Sequence, residues 1–94
     1  MFILDLNYHD GVLDQLDTLI PEHYAYLDRH LADGTFLLAG RKNPRTGGFI
    51  LAQGDDRAAI DAIITEDPFH REGLAVYTVT KFQPTRSVIS EVTV

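Results

Sequence analysis

Thr35-Phe36-Leu37-Leu38-Ala39-Gly40 and Gly48-Phe49-Ile50-Leu51-Ala52-Gln53 are short continuous apolar runs, and Arg41-Lys42-Asn43-Pro44-Arg45-Thr46-Gly47 joins them with turn-forming residues. Runs of this length bounded by glycine read as two strands of a hairpin. The hairpin lies mid-chain, and what flanks it decides the fold.

Upstream, Phe2, Leu4, Leu6 and Tyr8 alternate against Ile3, Asp5 and Asn7, the period of a half-buried strand over 2–8. Leu13, Leu16, Ile20, Tyr24, Leu27 and Leu31 then fall at steps of three and four and draw one helical stripe. Pro21 interrupts that stripe; lacking an N–H and clashing with the carbonyl four residues back, it predicts a short helical turn and a fresh helix starting at Pro21. Glu22 suits the dipole there, and Asp33-Gly34 supplies the stop. Downstream, Asp55 or Asp56 caps a second helix with Ala59, Ile60, Ile63 and Ile64 on one face, ending before Pro68. Residues 75–82 are β-branched and aromatic, a fourth strand, and 85–94 alternate enough for an edge strand.

The order β-α-β-β-α-β predicts an α+β, ferredoxin-like domain: a four-stranded antiparallel sheet with two helices on one face, spanning 1–94 with a C-terminal tail at 83–94. The central hairpin is apolar at consecutive positions, hence on both faces, and two helices cover only one. The other face predicts a two-fold homodimer with its sheets packed together or closing into an α/β barrel.

Composition narrows the function classes. At 94 residues, 45% hydrophobic and 23% charged, the chain suits one folded domain and neither disorder nor a fibrous class. Without cysteine it can build no disulfide, thiolate metal site or cysteine nucleophile, which fits a cytoplasmic protein. Its first residues lack a basic segment and no apolar run is long enough to span a bilayer, so neither export nor membrane insertion is expected. A net charge of −6 opposes binding to nucleic acid.

The chemistry-bearing residues are few. His23 and His30 share one side of the helix, and His23 sits beside Tyr24 and Leu27, where a histidine serves either as a hydrogen-bonded rim of the core or as a proton carrier near neutral pH. Asp67 is the candidate second group that fixes its tautomer, although aspartate before proline is also an ordinary turn device. Arg41 and Arg45 flank the hairpin turn, where a guanidinium either holds a carboxylate or phenolate of a small-molecule ligand or sits solvated at a loop tip; Arg41 adjoins the strand and is the better placed. Tyr8 and Phe69 complete the candidate substrate contacts, though such aromatics more often belong to a core. Gly47-Gly48 lacks the spacing of a phosphate loop and reads as turn chemistry. His9, His23, Asp67 and His70 show no metal-ligand spacing, so neither metal nor cofactor is expected.

His23-Tyr24-Ala25-Tyr26-Leu27, Gly34, Leu37-Leu38-Ala39-Gly40, Gly47-Gly48-Phe49, Asp67-Pro68-Phe69 and Gly73-Leu74, in that order and spacing, resemble the YCII-related (YciI-like) family over almost the whole chain. The resemblance implies a dimeric α/β barrel of ferredoxin-like subunits with a histidine and an aspartate, here His23 and Asp67, as a catalytic pair in a pocket. Many members carry proline after the Ala-Gly pair; here Arg41 follows Gly40, which marks a distinct branch. One group of relatives acts as a dehydrochlorinase of chlorinated hydroxyhydroquinones. Two functions follow as expectations: a cofactor-independent proton-transfer enzyme acting on a small aromatic or anionic metabolite, or a non-catalytic dimeric module that holds a small ligand.

Overall fold

β1 (Phe2–Tyr8) carries the alternation of its sequence into space, with Phe2, Leu4 and Leu6 buried and Ile3 and Asn7 exposed. A computed structural model describes all 94 residues. After β1 come α1 (Leu13–Ala32), β2 (Phe36–Arg41), β3 (Gly47–Ala52), α2 (Arg57–Ile64), α3 (Pro68–Arg71) and β4 (Ala75–Lys81). The strands form one antiparallel sheet in the order β2-β3-β1-β4, so β3 sits between β1 and β2 and the two β-α-β units interleave as in a ferredoxin-like fold.

One sheet face receives all three helices. Phe2, Leu4, Phe36, Ile50 and Ala52 meet Tyr26 of α1 and Ile60 and Ile64 of α2, while Leu6 and Ala75 meet Leu16 of α1 and Phe69 of α3. On the other face Ile3, Leu38, Phe49 and Val76 stay between 38% and 50% exposed. The hairpin is therefore apolar on both sides, as its continuous runs predict.

Five expectations need correction. Pro21 does not break the helix: α1 runs unbroken through it. Leu16 and Tyr26, both fully buried, lie on either side of Pro21, and burying such side chains contributes about 1.5–3 kcal/mol each, enough to offset the ~3 kcal/mol cost of an internal proline. Pro21 and Asp17 are exposed, so the carbonyl that loses its partner can turn to water. The buried face of α1 is also rotated from the apolar stripe: Leu16, His23, Tyr26 and His30 are inside, whereas Leu13, Tyr24 and Leu31 are exposed.

Asp67 does not end the second helix. α2 stops at Ile64, and Asp67 caps α3, its carboxylate accepting from Phe69 N–H with Pro68 in the first turn. Residues 85–94 form no strand; the only backbone bond within them is Val92 N–H to Ile89 O, and the outer edges of β2 and β4 stay unpaired. Finally, Gly47-Gly48 belongs to β3 rather than to a turn. A Cβ on Gly47 would lie 1.8 Å from the carbonyl oxygen of Leu6, and one on Gly48 2.6 Å from that of Gly40, so close strand approach demands both glycines.

Candidate active site

Asp67 is where the site begins. Its capping role turns the carboxylate inward, where it is fully buried, and its Oδ1 accepts from Phe69 N–H at 3.0 Å and meets His23 Nδ1 at 2.8 Å. The same short helix brings the Phe69 ring parallel to the imidazole, with centroids 4.0 Å apart and planes 8° from each other. Arg71 at the end of α3 grips Glu22, the neighbour of His23, through two guanidinium nitrogens. This grip holds the Glu22 carboxyl below the usual range and the Arg71 guanidinium above its own. The imidazole is thus fixed from three sides: by a carboxylate at Nδ1, an aromatic face, and an ion pair joining the helices that carry it and its partner.

The remaining ring nitrogen is free. Nε2 of His23 has no hydrogen-bond partner in the protein, is not sealed from solvent, and belongs to a residue lining a cavity of about 250 Å³. Gly48, beside Leu6 and Arg41 on the helix-facing side of the sheet, lines it without a side chain. Leu6, Ile20, Leu27 and Ile50 supply apolar wall.

All five other candidates are accounted for around this cavity. Tyr8 and Phe69 line it and pack edge to face at 5.8 Å. Arg41 lines it with no carboxylate partner, its only side-chain bond being a long one, 3.4 Å, to Tyr24 O–H. Arg45 lines it too, but one nitrogen is held by Asp17 at 2.7 Å, which raises the guanidinium's proton affinity. Its Nε is buried without a partner. Asp67 stands behind His23 and does not line the cavity. Lys42 points to the opposite sheet face, bonded to Asp5 and Asn7 and lying over the Phe49 ring. No group of three or more His, Cys, Asp or Glu side chains is placed to hold a metal ion, and His9 and His70 are exposed apart from the cavity.

Two residues absent from the sequence expectations complete the environment of Asp67. Tyr77 of β4 donates to Asp67 Oδ2 at 2.5 Å, and the Tyr26 and Tyr77 hydroxyls lie 3.4 Å apart. Burial pushes both phenols well above their ordinary range, so both remain protonated. Their signal in the sequence is slight: Tyr77 stands between Ala75 and Val79 on β4's inner face, a polar group flanked by apolar ones.

The sequence model of the YCII-related domain matches residues 1–83. The chain belongs to the YCII-related domain family. No curated protein matches this YCII-related chain in sequence. Among solved structures, the 5-chloro-2-hydroxyhydroquinone dehydrochlorinase of Burkholderia phenoliruptrix AC1100, in complex with 2,5-dihydroxybenzoquinone, is similar with a TM-score of 0.76 and 20% identity, over 86% of this chain and 91% of that chain. At that identity the likeness shows a shared ferredoxin-like fold. No helix of this YCII-related domain is long and apolar enough to cross a membrane.

Proposed function

We propose that this YCII-related protein is a small cofactor-independent enzyme that moves a proton on a ring-sized anionic metabolite, with His23 as base and then acid, Asp67 as its orienting partner and Arg41 as the anion anchor. The observation that carries the reading is the division of the His23 ring, with Nδ1 bound to a buried carboxylate and Nε2 without a partner, on a residue that lines a cavity together with a guanidinium that has no carboxylate partner. Asp67 accepts from Nδ1–H and leaves the Nε2 lone pair toward the ligand, and it stabilises the imidazolium formed once a proton is taken. Arg41 favours a ligand bearing a carboxylate or phenolate. The cavity lies at or below the lower end of the usual ligand range, roughly 300 Å³, which suits one ring.

The molecules named with the structural neighbour, a chlorinated hydroxyhydroquinone and a dihydroxybenzoquinone, fit this description and give the first class to screen. In such a step Nε2 takes a phenolic proton, the imidazolium returns it to the ring carbon that bears chlorine, and chloride then leaves that carbon as a second hydroxyl gives its proton to the freed Nε2 and becomes the quinone carbonyl, so the ring loses HCl and needs no oxidant. The test incubates the protein with halogenated and unhalogenated polyphenols and small aromatic acids in deuterated water, following halide release and ring deuteration by NMR. Turnover that disappears in a folded His23→Gln variant supports the enzyme. Tight binding by the wild type with neither exchange nor release would replace it with a ligand-holding module.

The reading includes a two-fold dimer through the outer sheet face, where Ile3, Leu51 and Leu38 lie in one row across three strands and Phe49 stands beside them. Light scattering at micromolar concentration should give twice the chain mass, and Leu38→Glu should halve it; a wild-type monomer rejects the dimer.

A further inference from the structure

Asp67 is a buried carboxyl group whose one titratable partner other than a phenol is a histidine. It is fully buried, and no lysine or arginine lies within ion-pair distance, so its carboxylate is held by three hydrogen bonds. Two fall on Oδ1, from Phe69 N–H and from the His23 ring; Oδ2 has one partner, the Tyr77 hydroxyl. A phenol has a single proton. Since Tyr77 gives its proton to Asp67, its oxygen can only accept from Tyr26, which fixes the direction of the 3.4 Å contact between them. Tyr26 donates to Tyr77, Tyr77 donates to Asp67, and the chain ends where Asp67 accepts from His23 Nδ1–H.

We propose that Tyr77 is a positioning residue of the site, acting through Asp67, and that the one-way chain from Tyr26 through Tyr77 and Asp67 holds His23 in the neutral Nδ1–H form with the Nε2 lone pair facing the cavity. The argument is one of charge. Without the Tyr77 hydroxyl, Oδ2 is a buried acceptor with no donor, and a carboxylate so deprived gathers charge and binds a proton more readily. That proton reaches it in one of two ways: Asp67 becomes neutral and stops accepting from Nδ1–H, or His23 becomes an imidazolium and loses the Nε2 lone pair. Either way the base form of the site is depleted. Both routes appear as a loss of the neutral Nδ1–H form of His23. Tyr26 acts one step further off by polarising the Tyr77 hydroxyl, an effect of the same sign and smaller size.

The inference rests on the reading of His23 as the proton carrier, but its test reads the imidazole rather than turnover. The full chain labelled with 15N-histidine reports which His23 nitrogen carries the proton, in the wild type, Tyr77→Phe and Tyr26→Phe, across the neutral pH range. The wild type should show the Nδ1–H tautomer. Tyr77→Phe should increase the fraction of His23 outside that form by about two- to tenfold at a fixed pH, the span set by the net contribution of one hydrogen bond. Tyr26→Phe should move it the same way by less. A folded Tyr77→Phe whose His23 spectrum matches the wild type overturns the proposal, as does a Tyr26→Phe change exceeding that of Tyr77→Phe. If Tyr77→Phe does not fold, Tyr26→Phe decides, and an unmoved His23 there rejects the chain. A wild type that turns over nothing while these shifts occur sinks the enzyme and leaves the chain standing.

Discussion

His23 and His30 leave the same helix two turns apart, each is 8% exposed, and each meets one of two consecutive acidic residues, Asp67 and Glu66. Their surroundings nevertheless make them different groups. His30 has both nitrogens engaged by the protein, Nδ1 with Asp33 at 3.1 Å and Nε2 with Glu66 at 3.0 Å, and both carboxylates are substantially exposed. It joins the end of α1 to the segment before Asp67 and leaves nothing for a ligand. His23 has one nitrogen on a carboxylate sealed from water and the other without a partner, on a ring that lines a cavity. Neither residue type nor burial separates the latch from the proposed proton carrier here; the leftover nitrogen does.

The largest effect expected from this contrast is on turnover. His23→Gln should lower kcat/KM by about 10²–10⁴-fold in a chain that still folds, with stability reduced by about 1–3 kcal/mol because the buried Asp67 carboxylate loses a donor. His30→Gln should leave kcat/KM nearly unchanged and reduce stability by ~1–3 kcal/mol, because two hydrogen bonds at a part-buried site are lost or distorted. Equal losses of activity in both variants, with both folded, would end the distinction. Asp67→Asn should follow His23 rather than His30. An amide there cannot accept from both Nδ1–H and Tyr77 O–H on two carboxylate oxygens, so activity and stability fall together.

How much of this is legible in the sequence follows from the range of the interactions. The alternation of β1 and the hairpin of β2 and β3 rest on neighbours a few residues apart, so the strands and the ferredoxin-like order can be read from apolar spacing. The inner face of α1 cannot. Its buried positions include His23, Tyr26 and His30, which no apolar periodicity selects, because their burial is offset by partners far along the chain: Asp67, Tyr77 and Glu66. The continuity of α1 through Pro21 and the separation of α3 from α2 are likewise settled by tertiary packing over local preference. His23 and Arg41 drew notice as side chains folding does not require, and Asp67, which alone reads as a turn device, through the family resemblance; Tyr77 did not, because in a strand it passes for core.

The carboxylates sharpen the same contrast at the smallest scale, through acid. Glu66 titrates below the ordinary carboxylate value of 4.5, chiefly because of its bond to His30 and then through Arg29. A carboxyl whose folded value lies below its unfolded one contributes stability that is present above the unfolded value and lost as pH falls through the folded value. Replacing Glu66 by Gln should therefore lower the urea midpoint near neutral pH, and the gap to the wild type should close as pH drops below about 4.5. Partial exposure of Glu66 keeps the gap small, and Asp33, held low first by the Thr35 backbone N–H, retains part of the acid sensitivity in the variant. Since this latch lies outside the cavity, Glu66→Gln should leave the His23 tautomer as it is. A Glu66→Gln variant that moves the His23 spectrum would mean that the two histidines are coupled through the 66–67 backbone, and that latch and proton carrier are one device.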